Sequence, residues 1–344
     1  MDLKRSFDFF GFLLACVVIF ACKEKTNQIT IKQNQGYAIG TSYNVQYEVD
    51  SDDTDYQQQI DSVFQILNRS LSTYIPTSDI SKINKGDTTV VVDEIFREVF
   101  LSSKKIWAET DGIFDPTVGA LVNAWGFGPE KPLKQLSKQK IDSILEFTGL
   151  DKVRLNMDGT VVKKHPNLYI DFNALGKGYA IDLIGRVLDK RNVKNYLIEV
   201  GGEVLAKGVK PTTKKPWVVG IDSPFQVTEE RIILKAIKIS DAAMATSGNY
   251  RKFRVDPQTG ERYVHTINPK TGYSAKSNVL SVSVLAKTCM EADAYATAFM
   301  AMPFEKTKSL LSASKDLDAL IMYLDDEDIL QYHITDGFQE KLLD

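Results

Sequence analysis

The chain has 344 residues, 43% of them hydrophobic and 25% charged, which is ordinary for a globular protein and sufficient for a large core. Its formal net charge of −3 provides no basic field, so the composition argues against a nucleic acid as partner. One large domain and two closely packed lobes are both compatible with this length.

The N-terminus is typical of an export signal. Residues 9–21 form an apolar run of 13 residues, which is too short to span a bilayer and has the length of a signal-peptide core. Cys22 follows, and polar residues begin directly after it, as in bacterial signals whose cysteine becomes lipidated. We therefore predict a lipoprotein signal peptide over residues 1–21, a polar tether over residues 22–35 and a folded domain over residues 36–344. A plain signal peptide or a signal anchor is the alternative.

Cysteine usage is compatible with export. With Cys16 in the signal and Cys22 at its end, Cys289 has no partner for an internal disulfide in the mature chain. Its position at the start of an alanine-rich segment predicts buried packing rather than a nucleophile. Three histidines and one mature cysteine also make an ordinary zinc site hard to assemble.

Hydrophobic periodicity predicts the elements of the N-terminal half. In chain order they are a strand over residues 37–49, a helix over 55–72, a loop over 73–85, a second helix over 93–110, a shaped loop over 111–129 and a lysine-rich surface insert over 131–140. The first of these loops contains Ser78, which we predict to cap a helix.

The C-terminal half is richer in strands. In chain order its predicted elements are a strand over residues 161–172, a helix over 176–191, a hairpin over 196–207, strands over 217–223, 231–240 and 279–286, a helix around Asp293, and strands over 319–324 and 330–334. Strands and helices alternate irregularly, with several steps from strand to strand. This order favours an α+β fold, with mixed or antiparallel sheets and packed helices, over a doubly wound parallel sheet.

The most informative segment runs from His265 to Thr297. Asp293 and Thr297 are four residues apart in a predicted helix, so they face the same side. A carboxylate beside a hydroxyl is a poor zinc site but a good site for magnesium, which is usually shared with the phosphates of a substrate. The pattern predicts metal-assisted chemistry on a phosphorylated ligand. For His265 taken alone, a core histidine is the simpler interpretation.

Residues 171–182 end a strand and begin a helix, with Lys177 between two glycines. Exposed N–H groups and the positive end of the helix favour a phosphate there, and Lys177 adds a full charge. The segment is neither a Walker P-loop nor a dinucleotide fingerprint, because the required positions are not occupied by Ser/Thr and glycine. Tight helix–strand packing with a surface lysine explains the same residues.

Two further segments are rich in turn residues. In residues 111–117, Asp115 precedes a proline and is held away from helical geometry, so its backbone can face a ligand. In residues 245–250, small side chains permit a ligand to approach the backbone. Ordinary turns explain both segments when each is taken by itself.

Taken together and in this order, the motifs resemble the ApbE family, the FAD:protein FMN transferases. The matching stretches are Gly40-Thr41, residues 71–74, 114–116 and 171–182, Gly201-Gly202, and residues 246–248, 265–272 and 291–297. They span nearly the whole mature chain, and eight motifs in register are highly specific. Ile39 stands where the family usually has methionine, a change that preserves apolar contact with a flavin.

The resemblance implies an α+β fold related to the tunnelling fold, with an FMN transferase domain over residues 36–344. It implies that FAD is split at its pyrophosphate, that FMN is joined to a Thr or Ser hydroxyl of a target protein, and that AMP leaves, with Mg2+ required. The implied targets are subunits of sodium-pumping quinone reductase or Rnf-type complexes. The chain would then be anchored by a lipid on Cys22, most simply to the inner membrane, and would face the periplasm.

The resemblance also implies roles for single positions. Asp293 and Thr297 would bind the metal through side-chain oxygens, and Ala174 would bind it through its backbone carbonyl. His265 would help the acceptor hydroxyl to lose its proton. The residues expected to contact FAD are Ile39, Tyr74, Ile113, Phe114, Asp115, Asp171, Lys177, Ser247, Gly248 and Ile267.

Two other functions are compatible with the same motifs. A magnesium-dependent FAD pyrophosphatase would release FMN and AMP, with water as the acceptor, and would use the same site. A lipid-anchored flavin-binding protein would hold FAD without turnover, although storage alone needs no base such as His265.

Overall fold

The computed structural model describes residues 30–50, 54–133, 136–225, 232–248, 253–255, 262–274 and 277–343. The predicted signal peptide and Cys22 lie outside the described residues. Within those ranges, no helix combines the length and the apolar character that crossing a membrane requires.

Short strands and helices alternate along the described chain. The strands are β1 (Thr30–Ala38), β2 (Thr41–Val49), β3 (Val153–Leu155), β4 (Val161–Lys163), β5 (Tyr196–Val200), β6 (Glu203–Lys207), β7 (Trp217–Asp222), β8 (Ile233–Ile239), β9 (Ala242–Gly248), β10 (Phe253–Val255), β11 (Arg262–Val264), β12 (Val279–Ala286), β13 (Asp318–Leu324), β14 (Leu330–Ile334) and β15 (Leu342–Leu343). The α-helices are α1 (Gln57–Leu71), α2 (Asp79–Asn84), α3 (Glu94–Glu109), α4 (Gly119–Trp125), α5 (Lys138–Leu145), α6 (Asn173–Lys190), α7 (Cys289–Ala301), α8 (Phe304–Ala313) and α9 (Asp336–Gln339).

Eight strands form the main sheet, in the order β1-β2-β5-β6-β9-β12-β13-β14. Every neighbouring pair in it is antiparallel. A second antiparallel sheet has the order β15-β8-β7. This combination of antiparallel sheets and separate helices confirms the predicted α+β fold class.

The main sheet has different partners on its two faces. On β9, Ala243 and Ala245 belong to the apolar cluster that contains the buried residues of α1, α6 and α7. Met244 between them belongs to another cluster, with Trp217 of the second sheet and Phe338 of α9. Because successive side chains of a strand point to opposite faces, helices cover one face of the main sheet and the second sheet covers the other.

Helices α6 and α7 pack against each other and against the main sheet. Most of α7 is buried around its whole circumference, as an alanine-rich helix without a polar face predicts. Gly178 of α6 permits the close approach, because a β-carbon there would overlap with the backbone carbonyl of Cys289. Cys289 itself is a buried free thiol, which confirms its predicted packing role.

A third apolar cluster forms a smaller lobe, which we call the α4–α5 lobe: helices α4 and α5 together with residues 264–274. Its buried residues are Leu121 and Ala124 of α4, Ile141 and Ile144 of α5, and Ile267. The indole N–H of Trp125 donates to the backbone carbonyl of Gly272 at 2.8 Å and ties α4 to the returning segment. The lobe therefore fixes the position of residues 264–274, including His265.

The fold begins earlier than predicted. Residues 30–35, expected to belong to the tether, form most of β1, which pairs with β2 along its whole length. β1 lies at the edge of the sheet, and most of its side chains are polar. Its sequence therefore lacks the alternation of apolar residues that would predict a strand. The single strand predicted over residues 37–49 is consequently a hairpin with its turn at Ile39-Gly40.

Several predicted segments differ in detail from the structure. The surface insert predicted over residues 131–140 contains the first residues of α5. The predicted loops 73–85 and 111–129 contain α2 and α4, whose six and seven residues are too few to show a helical period. The strand predicted over residues 161–172 is only β4, because the segment turns around Pro166. The cap predicted at Ser78 is confirmed, since its hydroxyl accepts from the backbone N–H of Ser81 at 3.2 Å.

Candidate active site

The candidate site lies where two hairpin turns meet the beginning of α6. Ile39-Gly40 joins β1 to β2, and Gly201-Gly202 joins β5 to β6. The backbone N–H of Gly201 donates to the carbonyl of Ser42 at 3.0 Å, which holds the two turns together. Gly201 also lies against the side chains of Thr41 and Lys177. Both turns therefore border the first turns of α6.

Ile39 has an unusual backbone conformation. Its φ of 44° lies in the left-handed region, which is costly for a β-branched residue. The side chain is half-buried and packs against the main core. Such strain persists where the surrounding structure fixes it and is frequent at functional sites. The hairpin thus holds an apolar side chain at the border of the site, and its contact with a flavin remains a prediction.

Lys177 lies between two buried carboxylates. Its Nζ is 3.0 Å from Glu203 Oε1 at the start of β6 and 3.5 Å from Asp293 Oδ2 on α7. The carboxylate of Asp293 also accepts from the backbone N–H of Gly178 at 3.2 Å. Both acidic residues are only 3% exposed. The cluster joins the main sheet, α6 and α7 at one point.

Burial and charge act against each other in this cluster. Burial raises the pKa of Glu203 and of Asp293, although the ammonium group of Lys177 opposes the rise. Burial alone would lower the pKa of Lys177, but Asp293 and Glu203 outweigh it and raise that pKa. With all three groups ionised, two carboxylates face one ammonium group. The cluster then carries an excess negative charge that favours a bound cation.

Ser247 meets Thr297, which lies one helical turn after Asp293. Thr297 follows Asp293 by one turn of α7, as the sequence predicted. Its hydroxyl lies 3.5 Å from the hydroxyl of Ser247, near the end of β9. The structure therefore brings together a residue predicted to bind the metal and one predicted to contact FAD. Gly248, the last residue of β9, pairs with Ser281 of β12.

The oxygen-rich donor set suits magnesium. A carboxylate and hydroxyls are hard ligands of the kind that Mg2+ takes, and Glu203 Oε2 is a buried oxygen without a hydrogen-bond partner. Ala174, whose carbonyl is the third predicted ligand, is the second residue of α6. Among the described residues, no group of three or more His, Cys, Asp or Glu side chains could hold a metal ion. A site here would depend on Asp293, hydroxyl and backbone oxygens.

Asp171 forms a second part of the site, just before α6. Its carboxylate accepts from the backbone and side-chain N–H groups of Asn173 at 2.7 and 3.1 Å. Burial raises the pKa of Asp171 to about 6. Tyr74 is 60% exposed; partial burial of its hydroxyl and then the charge of Asp171 raise its pKa. An exposed tyrosine ring beside Asp171 is available for stacking, as predicted for contact with FAD.

The carboxylate of Asp115 has all its hydrogen-bond donors within the protein. Its carboxylate accepts from Trp107 Nε1 at 2.9 Å, from the backbone N–H and hydroxyl of Thr117 at 2.8 and 2.6 Å, and from the backbone N–H of Leu150 at 3.1 Å. Phe114 is 3% exposed and belongs to the main core, whereas Ile113 is only partly buried. The side chain of Asp115 therefore fixes this loop, and its predicted contact with FAD is left to the backbone.

His265 and Ile267 belong to the α4–α5 lobe. The imidazole of His265 lies edge-on to the ring of Phe127, with 6.4 Å between centroids. Ile267 is 6% exposed and packs within the lobe. Lys270 of the same segment lies 4.0 Å from Asp111. The predicted base is thus carried by a different packing unit from Lys177 and the metal ligands.

Sequence reasoning missed two acidic residues. Glu203 follows the Gly201-Gly202 turn and pairs with Lys177. Asp182 of α6 accepts the backbone N–H groups of Cys289 and Met290 at 2.8 and 2.9 Å and so caps α7. The sequence offered one signal for each: Glu203 is a carboxylate at the start of a largely apolar strand, and Asp182 is a carboxylate among the buried residues of a helix. Neither signal identifies the distant partner.

Comparison with known proteins agrees with this geometry. A family model described as the ApbE family matches residues 39–321. An FAD:protein FMN transferase of Haemophilus influenzae is 33% identical over 297 residues, which cover 83% of this chain and 84% of that protein. Another, from Vibrio cholerae, is 32% identical over 321 residues, which cover 91% and 93%.

Solved structures show the same fold. The flavin transferase ApbE from Vibrio cholerae superposes with a TM-score of 0.81 at 30% identity, covering 91% of this chain and 99% of that chain. The flavinyl transferase ApbE of Pseudomonas stutzeri, in its apo form, gives a TM-score of 0.79 at 28% identity, covering 91% and 97%. From the extent of the family match and the identity to these relatives, the chain belongs to the ApbE family.

Proposed function

We propose that this chain transfers FMN from FAD to a Thr or Ser hydroxyl of another protein in a magnesium-dependent reaction. Family membership supports the transferase activity itself: the curated relatives are FAD:protein FMN transferases, and so is this chain. The observation that supports the metal dependence is the buried cluster of Lys177 and Asp293, with Thr297 one turn along α7.

The reaction breaks the phosphoanhydride bond in the pyrophosphate of FAD and forms a phosphoester bond. A bond forms between the acceptor oxygen and the FMN phosphorus, the bond from that phosphorus to the bridging oxygen breaks, and its electron pair leaves with AMP. Such transfers depend mainly on positioning and on neutralising charge. Asp293, Thr297 and the carbonyl of Ala174 would hold magnesium, which offsets charge on the pyrophosphate when bound.

The protein's own groups complete the chemistry. Lys177, near the beginning of α6, adds a positive charge where a helix end already favours phosphate. His265 would accept the proton of the attacking hydroxyl, a contribution of about 10²–10⁴-fold for a positioned base. Tyr74 and Ile39 would hold the rings of FAD, and Asp171 would bind its polar part through a carboxylate already fixed by Asn173.

The test is an intact-mass measurement with the full-length chain in detergent, FAD, magnesium and a candidate acceptor domain. We expect the acceptor to gain one FMN and AMP to appear in equal amount, with both lost when magnesium is chelated. Free FMN and AMP without a modified acceptor, across several acceptors, would instead support the pyrophosphatase. FAD that is bound but intact would contradict both catalytic functions.

The cellular setting is also a proposal. A lipid on Cys22 would anchor the enzyme to a membrane, most simply the inner one, with its domain in the periplasm. Acceptors such as subunits of sodium-pumping quinone reductase or Rnf-type complexes would then be within reach. The signal-like N-terminus and the family resemblance support this setting. Loss of lipid labelling and of membrane association in Cys22→Ser would test it, and membrane association unchanged in that variant would contradict it.

A further inference from the structure

We propose that Glu203 is a positioning residue that gives Lys177 an ion-pair partner other than Asp293, so that Asp293 can bind a metal ion. The inference rests on the proposed function, because it concerns how one site holds both a lysine and a metal ion. Lys177 Nζ is closer to Glu203, at 3.0 Å, than to Asp293, at 3.5 Å. Glu203 is therefore the nearer of its two carboxylate partners.

The backbone position of Glu203 is set by a hairpin turn of the main sheet. It directly follows Gly201-Gly202, whose φ values of 62° and 101° require glycine. The turn is held by the backbone N–H of Gly202, which donates to Glu199 Oε1 at 2.6 Å, and by that of Gly201, which donates to Ser42. The backbone position of Glu203 therefore does not depend on Asp293.

Such an anchor is needed because Lys177 and a metal ion would compete for one carboxylate. A cation held by Asp293 would repel the neighbouring ammonium group and would compete with it for the carboxylate oxygen that Lys177 contacts. Glu203 offers Lys177 another partner, and its Oε2 is a buried acceptor with no hydrogen bond. Without Glu203, Asp293 would be the nearest carboxylate left to Lys177, and the lysine would block the metal ligand.

A double-mutant cycle on the full-length chain tests this dependence. The probe is Mn2+ without FAD, and its binding is read by electron paramagnetic resonance for the parent, E203Q, K177M and the double variant. We expect E203Q to weaken Mn2+ binding by about 10- to 100-fold, the usual cost of losing a group that orients a ligand. K177M should bind Mn2+ more tightly than the parent, because the competing ammonium group is gone.

The decisive quantity is the coupling between the two substitutions. If Glu203 acts through Lys177, adding E203Q to K177M costs clearly less than adding it to the parent. An equal loss in both backgrounds would overturn the proposal and make Glu203 a direct metal ligand or a source of general charge. Unchanged Mn2+ binding in E203Q would overturn it as well.

Two further variants guard against a folding artefact. E203D keeps the charge and should recover at least part of the Mn2+ affinity lost in E203Q; no recovery in a folded E203D would contradict the positioning role. If E203Q does not fold, the same cycle is run with E203A, which also removes the carboxylate. The matched control is E98Q. It removes a carboxylate of α3 that pairs at 2.7 Å with Arg186, which lies on α6 like Lys177 but far from the site. It should leave Mn2+ binding unchanged.

The enzymatic readout separates this inference from the proposed function. In E203Q, transfer at saturating Mg2+ should approach the parent kcat, while the Mg2+ concentration for half-maximal rate rises by the factor measured for Mn2+. A protein that binds Mn2+ with the predicted coupling but transfers no FMN would contradict the proposed function alone. A normal transferase without coupling would contradict the role of Glu203 alone.

Discussion

The two ends of α6 carry the same kind of ion pair in opposite surroundings. Near the start, Lys177 meets Glu203 and Asp293, whose side chains are 5% and 4% exposed. Nearer the end, Arg186 meets Glu98, with side chains 47% and 32% exposed. Desolvating a charge is costly, whereas an exposed pair gains and loses little. The buried cluster is therefore poorly explained by stability, in keeping with the proposed role in binding a cation and a phosphate.

The largest effect should come from the buried end. Asp293→Ala removes the proposed metal ligand and one partner of Lys177, so we expect FMN transfer to fall by at least about 100-fold. Intact mass of the acceptor measures the loss. Glu291→Gln, on the same helix and at an exposed pair with Lys105, is the control and should retain transfer. Retained magnesium-dependent transfer in Asp293→Ala would contradict the assignment of Asp293 as a metal ligand.

Asp182 lies on α6 between the two pairs and tests whether capping of α7 supports the buried end. Asp182→Asn removes one acceptor and the negative charge at the beginning of α7, so we expect a loss of about 1–3 kcal/mol in unfolding free energy. Chemical denaturation measures it. Asp189→Asn, at an exposed pair with Lys207, should cost less than about 1 kcal/mol. Equal losses would show that burial does not distinguish these carboxylates.

The pH dependence of stability tests the desolvation of Asp171. Burial raises its pKa from 3.8 to about 6, so the folded protein holds this proton more tightly than the unfolded chain does. Protonated Asp171 therefore adds to the free energy of unfolding below about pH 4. This contribution is lost as the pH rises through 6, a change on the order of 2–3 kcal/mol. The difference in unfolding free energy between the parent and Asp171→Asn should follow this course. A difference independent of pH would refute it.

The smallest effect should come from the exposed end. Glu98→Gln removes one partner of Arg186 at the surface, where such pairs contribute about 0–1 kcal/mol. We expect a small loss in unfolding free energy that shrinks further at high salt, because salt screens exposed charges. Thermal melting at low and high salt measures both. A loss comparable to that of Asp182→Asn would remove the contrast between the two ends of α6.

Several elements could be predicted from local patterns alone. Helices α1 and α3 are close to their predicted ranges, because each is long enough to show an apolar face. Among the elements that were missed, strand β1 lies at an exposed edge and helices α2 and α4 are very short, so none of the three has a period that can be recognised. The same holds for the site. The pair Asp293 and Thr297 could be predicted because both lie on one helix, whereas the pairing of Glu203 with Lys177 could not, because it joins separate elements.

The sequence by itself determined the family motifs, the helical spacing of Asp293 and Thr297, and the buried setting of Cys289. These features depend on residues that are near neighbours in the chain. Only the tertiary structure decided that Lys177 lies between Glu203 and Asp293, that the carboxylate of Asp115 accepts hydrogen bonds from α3 and from Leu150 as well as from Thr117, and that Asp182 caps α7. Those contacts depend on strand order and on the close packing of α6 against α7, which no local pattern encodes.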